Sequence, residues 1–426
     1  MKKALSVLLT MGLTVSMLAG CGSNGAADNA SAGNAADNSA ADNTVAATES
    51  SAAAGEAKSA SDIKVGVIYI GDENEGYTAA HMAGIDEMAA NLGLSDDQII
   101  EKTTIPEDES CYDAAVDLAD QGCNIIFATS FGHETYILQA AQEYPDIQFC
   151  HATGYQAASS GLSNMHNYFD AIYEARYVSG VVAGMKLNEM IENGDITADQ
   201  AKIGYVGAFP YAEVISGFTS FYLGAKSVCE SVTMEVQYTN SWADMTAEGE
   251  VANQLIADNC VLISQHADTT GAPSACETAG VPCVGYNVDM TSVAPDAALT
   301  SPTNNWGVYY TYAVQCVLDG KAIDTDWCKG FSEDAVRITP VNEAVAAEGT
   351  DAKVEEVEAA LKDGSLHVFD TSKFTVNGSS LEDLIAEGGD YAKYADYVSD
   401  GYYHESELAS APSFDIIIDG ITSQAN

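Results

Sequence analysis

The stretch Ile63-Lys64-Val65-Gly66-Val67-Ile68-Tyr69-Ile70, followed by Gly71-Asp72-Glu73-Asn74-Glu75-Gly76-Tyr77, decides the fold. Its first eight residues are an almost unbroken apolar run, the pattern of a strand buried on both faces. The next seven are a polar loop, and Thr78 to Leu92 then has helical spacing. The same unit recurs as a strand at Ile99–Thr103 before a helix at 110–121, and Asn124–Thr129 before one at 134–143. Ile147–Ala152 is a further strand. Strands alternating with helices of this length predict right-handed βαβ units and a mostly parallel sheet.

A long helix is expected from about Ala171 to Ile191, with Gly194 closing it, and then the pattern restarts. Strands at Lys202–Gly207, Val232–Thr239, Cys260–Gln265 and Pro282–Tyr286 alternate with helices at 212–228, 245–258 and 270–279. The fold class is therefore α/β, with two doubly wound parallel-sheet lobes, a hinge and an interlobe cleft. Lobe 1 is expected over 62–168, with 300–320 packing back on it through a helix at Asn305–Leu318. Lobe 2 covers 169–299, and 321–426 is a C-terminal segment without a lobe assignment. Ligands of open parallel sheets sit beyond the carboxyl ends of the strands, and closure of two facing lobes is a hinge motion.

Upstream of this body, Lys2 and Lys3 precede an apolar run from Ala4 to Ala19 that ends in Leu18-Ala19-Gly20-Cys21. The run suits the hydrophobic part of a secretory signal rather than a permanent span. Residues 1–20 are expected to be a signal peptide cut before Cys21, whose small-residue context resembles the lipobox of bacterial lipoproteins. An ordinary secretory signal with a chance cysteine is the other reading. Residues 21–61 hold one bulky aliphatic, Val45, and repeat Ala-Ala-Asp-Asn at 26–29, 35–38 and 40–43. With so little apolar area to bury, that stretch is expected to be a disordered tether. The resulting location is the extracytoplasmic face of the cell membrane, held there by a lipid.

Composition narrows the partners. The formal net charge is −47 over 426 residues, and nearly all of that acidity falls after Ser61. Such a surface repels phosphate backbones, which excludes nucleic acid as a partner. No CxxC pair or Cys/His spacing marks a metal site, and neither a metal nor a cofactor is expected. The histidines share no HxH or HxxxH spacing. A Cys276–Cys283 disulfide stays open, since nine cysteines remain beyond Cys21.

The predicted strand ends carry the chemistry. They are the 71–78 loop with Asn74 and Tyr77, Thr129-Ser130-Phe131, His151-Ala152-Thr153-Gly154-Tyr155, Pro210-Tyr211-Ala212-Glu213, Asn240-Ser241-Trp242, Gln265-His266-Ala267-Asp268 and Asn287-Val288-Asp289, with Trp306 at the return to the first lobe. Aromatic faces stack on planar rings, and carboxylates accept N–H or hydroxyl donors. With no base among them except histidine, the ligand is expected to be uncharged or weakly cationic. Each residue also has a plain structural use. The aromatics can cap the core, Asp268 and Asp289 can be helix N-caps, and Glu213 can favour a helix dipole.

Residues 62–345, through Gly76-Tyr77-Thr78-Ala79-Ala80-His81 and the strand-end segments above, resemble the basic membrane protein family of ABC-transporter substrate-binding lipoproteins. The resemblance implies a type I periplasmic-binding-protein fold and a purine nucleoside or purine base as cargo, delivered to ABC permease and ATPase subunits. It implies Tyr77 as a stacking face, where the nearest branch has Trp, opposed by Phe131, Tyr155 or Trp242. Glu213 then accepts ring N–H groups, and Asp268 and Asp289 bind ribose hydroxyls or the base. Phe414-Asp415-Ile416-Ile417-Ile418-Asp419-Gly420 resembles the family's end motif. The protein is not expected to be an enzyme. An exported nucleoside hydrolase using Asp72 or Asp268 as base, or a ligand-sensing receptor component, is the alternative.

Overall fold

The computed structural model describes residues 57–424. The expected signal peptide, Cys21 and most of the 21–61 tether lie outside the described residues.

In the first lobe, β1 (Val65–Ile68) leads into α1 (Gly76–Leu92), β2 (Ile99–Lys102) into α2 (Glu109–Asp120) and β3 (Ile125–Ala128) into α3 (Glu134–Glu143). β4 (Gln148–Ala152), the short α4 (Ala157–Ser160) and β5 (Met165–Tyr168) follow. Every residue of β1 and β3 is buried, because helices cover both faces of the sheet. β5 has no counterpart in the apolar pattern, although all four of its residues are buried. Its polar side chains are satisfied instead. His166 pairs with Gln148 (2.9 Å) and the Asp324 carbonyl (3.1 Å), and the Asn167 amide donates to Glu134 (2.9 Å).

α5 (Ile172–Asn193) crosses to the second lobe and stops at Gly194, which takes the left-handed conformation. There follow β6 (Lys202–Gly207), α6 (Ala212–Val228), β7 (Thr233–Tyr238), α7 (Met245–Ala257), β8 (Leu262–Gln265), α8 (Gly271–Ala279) and β9 (Cys283–Val284). β10 (Pro302–Asn304) carries the chain back, and α9 (Gly307–Asp319) packs against α1. β11 (Asp326–Trp327) joins the first sheet beside β5, in parallel. β12 (Val336–Ile338) then pairs antiparallel with β10 as the chain returns, and α10 (Thr350–Lys362) packs on α5.

Beyond α11 (Leu381–Glu387) and the hairpin of β13 (Val398–Ser399) and β14 (Tyr402–Tyr403), β15 (Ile421–Gln424) adds to the second sheet beside β7. The sheet orders are β11-β5-β4-β3-β1-β2 and β15-β7-β6-β8-β9, with every neighbouring pair parallel. Three passages of chain thus connect the lobes. Residues 321–426, unassigned from the sequence, supply an edge strand to each sheet.

The segment before β15 has its own aromatic centre. Phe369 stacks on Phe414 at 4.5 Å, and Tyr403 meets Phe414 edge-on at 5.0 Å. Phe414, Ile416 and Ile418 are buried while Ile417 and Asp419 face out. Cys276 and Cys283 are both free thiols, so the disulfide left open above is not formed. They sit instead in the small apolar core between α7, α8 and β8, where thiols behave as small hydrophobes.

Candidate functional site

The strand-end loops of the two sheets meet across a partly enclosed cavity of about 110 Å³, set between two lobes as small-molecule sites commonly are. The first lobe lines it with Gly71, Glu75, Tyr77, Thr129, Ser130, Phe131 and Thr153, and the second with Glu213, Trp242, His266, Asp268 and Tyr286. Three carboxylates face a mostly apolar and aromatic wall, and no Lys or Arg lines it.

Tyr77 comes from the first turn of α1. Glu75 caps that helix by accepting the Tyr77 N–H at 2.7 Å and the Thr78 N–H at 2.9 Å, which satisfies two donors that lack an intrahelical partner. The Tyr77 hydroxyl donates to the Thr129 carbonyl at 2.6 Å. Its ring meets His81 edge-on at 4.4 Å, and Trp306 stacks on His81 at 4.1 Å. Trp306 is therefore fully buried one layer behind the cavity wall.

The second lobe supplies the polar groups. Glu213 stands in the first turn of α6, and desolvation pushes its carboxyl up to about 7, with Arg176 partly opposing the rise. His266 Nε2 lies 3.4 Å from Glu213 Oε1. Burial, with the guanidinium of Arg176 nearby, lowers the imidazole well below its usual range, so His266 is neutral. Asp268 accepts the Asn287 side-chain N–H at 2.8 Å. Burial and the neighbouring Glu75, Glu248 and Glu213 raise its carboxyl well above the ordinary range, because a charge there is both desolvated and repelled. Arg176 lies 4.0 Å over the Tyr286 ring and donates to the Tyr205 hydroxyl at 2.6 Å and the Gln265 carbonyl at 3.1 Å.

Of the residues singled out from the sequence, Tyr77, Phe131, Glu213, Trp242 and Asp268 are brought together on the cavity wall. Tyr155 stands outside it, 59% exposed, with its ring 6.4 Å from Phe131 at the mouth. Three others do not reach the lining. Asn74 donates to Asp72 within the exposed loop at 3.0 Å. Asp289 caps a short turn by accepting the Thr291 N–H (2.9 Å) and hydroxyl (2.7 Å). Trp306 is the buried layer already described.

Glu75, His266, Tyr286 and Arg176 were passed over. The first is one residue from Asn74, and cap geometry alone turns it inward. His266 stands in a strand-end segment already quoted, and Tyr286 is the last residue of the predicted strand Pro282–Tyr286. Arg176 is the lone charge in the run 175–183, which is apolar but for Ser179, and that is its signal.

The Bmp family model, described as ABC transporter substrate-binding protein PnrA-like, matches residues 63–366. A purine-binding protein of Brucella abortus is 33% identical over 319 residues, covering 74% of this chain and 85% of that one. A Haloferax volcanii protein provisionally named an ABC transporter glucose-binding protein is 36% identical over 197 residues, 46% of each chain. Among solved structures, an ABC transporter solute-binding protein of Aeropyrum pernix superposes with a TM-score of 0.59 at 17% identity, covering 76% of this chain and 96% of that one. That likeness concerns the fold alone.

Proposed function

The chain belongs to the Bmp family of PnrA-like ABC transporter substrate-binding proteins, and on that premise we propose that it captures a purine nucleoside or purine base and delivers it to an ABC permease. The observation that carries the reading is the cavity wall itself, where Tyr77, Phe131, Trp242 and Tyr286 offer aromatic faces and Glu75, Glu213 and Asp268 offer carboxyl groups without a nearby lining cation. A planar heterocycle rich in N–H donors complements such a wall. The 33% identity to the purine-binding relative supports the same cargo.

In this proposal Tyr77 and Trp242 contact the ring faces, Glu213 accepts ring N–H groups, and Asp268 bonds to the base edge or a ribose hydroxyl. Ligand binds the open cleft and the lobes close over it, so that the closed form is the one delivered. The titration described at the end of the Discussion tests the cargo. Turnover of a nucleoside to free base in the same samples would favour the hydrolase alternative.

We further propose that Cys21 is acylated and tethers the protein to the outer face of the membrane. Cys21→Ala is expected to leave ligand affinity unchanged while moving the protein from the membrane fraction to the soluble one. Retention of the variant in washed membranes would contradict the lipid anchor.

A further inference from the structure

One main-chain contact joins the two lobes at the cavity. The Gly76 N–H, at the first position of α1, donates to the carbonyl of Asp268 at 3.0 Å. The first amides of a helix have no intrahelical partner. Glu75 satisfies those of Tyr77 and Thr78, so the Gly76 amide is the one that the opposite lobe completes.

The approach leaves no room for a side chain. A Cβ on Gly76 would lie 2.9 Å from the Asp268 carbonyl oxygen, 3.6 Å from Asn287 Cβ and 3.7 Å from Val288 Cγ2. Glycine's usual conformational licence is not the reason for its presence here, since Gly76 is the first residue of a helix. Proximity is.

Asp268 is itself held firmly. Its amide donates to the Trp242 carbonyl at 2.9 Å, and its carboxyl accepts from Asn287 at 2.8 Å. Asn287 takes a positive φ of 64° and its amide donates to the carbonyl of Pro302, in β10, at 3.0 Å. The same residue therefore turns its carboxyl to the cavity and its carbonyl to the opposite lobe, braced against the interlobe passage.

We propose that the Gly76–Asp268 main-chain contact is the latch that couples occupancy of the cavity to lobe closure, with Gly76 as the residue that permits it. Ligand that bridges the lobes at the Asp268 side chain holds them at the spacing where this braced carbonyl receives α1. The inference rests on the substrate-binding reading above and adds to it a residue that touches the other lobe rather than the ligand.

The test is Gly76→Ala, with Gly249→Ala as control, since the only neighbour of a Cβ at Gly249 within 4 Å is the Gly271 carbonyl oxygen at 3.6 Å. Closure deferred by the added methyl lowers the closed population and weakens apparent affinity in proportion. Gly76→Ala is expected to bind the purine that wild type binds about tenfold or more weakly, and to show less ligand-induced compaction in solution scattering. The control should match wild type in both. Equal affinity and equal compaction in Gly76→Ala would overturn the latch.

Amide exchange supplies a second measurement that needs no variant. In wild-type protein saturated with the purine it binds, the Gly76 amide should exchange markedly more slowly than the exposed loop amides at 73 and 74. Exchange as fast as theirs would also overturn the latch. Failure of wild type to bind any purine would instead count against the proposed cargo, and the same exchange measurement on protein saturated with glucose would then decide the latch.

Discussion

Acidification from pH 8 to pH 6 is expected to weaken ligand binding about tenfold, through Glu213. Burial holds this carboxyl up at about 7, so it is mostly ionised at pH 8 and mostly protonated at pH 6. A ligand that donates N–H groups to it prefers the ionised form. Below 7, binding must therefore displace a proton, at a cost of about 1.4 kcal/mol per pH unit, and affinity rises with pH until the carboxylate is fully formed.

The other titratable groups at the cavity are shifted by different surroundings. Burial and nearby Arg176 keep His266 neutral, and Asp268 is raised well above its ordinary range by burial and by the carboxylates around it. Burial also raises Glu75, but its cap bonds to Tyr77 and Thr78 oppose that rise. Glu248 also reaches about 7, yet it faces the Thr269 amide rather than the cavity. Glu213→Gln separates these contributions. It should lose about 1–3 kcal/mol of affinity at pH 8, the worth of charge-assisted hydrogen bonds, and its affinity should be flat between pH 6 and 8. A wild-type affinity that rises on acidification would mean that Glu213 donates a proton to the ligand instead of accepting one.

Gly180→Leu is expected to destabilise the second lobe by about 3 kcal/mol or more. α5 and α6 cross at a distance set by glycine on both sides. A Cβ on Gly180 would fall 2.0 Å from the Phe221 carbonyl oxygen, and one on Gly224 would fall 2.0 Å from that of Tyr177. Backbone oxygens cannot rotate aside as a flexible side-chain end can, so the helices must separate and their packed neighbours lose contact. Denaturant unfolding of the variant measures the effect. A midpoint change worth less than about 1 kcal/mol would show that this interface has slack that the packing does not reveal.

The parts of the fold that were legible in the sequence are those whose burial is written as apolar runs. β1 and β3 are apolar at nearly every position because both faces are covered, and the loop and helix after each follow from polarity and spacing. β5 was not legible, since Met165-His166-Asn167-Tyr168 is buried through hydrogen bonds to Gln148, Glu134 and the Asp324 carbonyl. β11 and β15 were missed for a related reason. They are short edge strands, two and four residues long, and their partners come from segments more than a hundred residues earlier.

The site divides in the same way. Strand-end position placed Tyr77, Phe131, Glu213, Trp242 and Asp268 near one another. It could not tell Glu75 from Asn74, because the inward turn is decided by a helix cap. Nor could it tell a wall residue from the layer behind, as with Trp306, which packs edge-on behind Tyr77 and stacks on His81.

The central claim is that the cavity between the lobes takes a purine. It is tested most directly by calorimetric titration of the folded part, residues 62–426, after unfolding and refolding to strip any ligand carried through purification. The titrants are adenosine, guanosine, inosine, adenine, hypoxanthine, ribose and glucose. Saturable one-to-one binding of at least one purine compound, no heat from either sugar alone, and recovery of the purine unaltered are the predicted results. Saturable binding of glucose with silence from every purine would contradict the account, and would point to a sugar as the cargo of the same cleft.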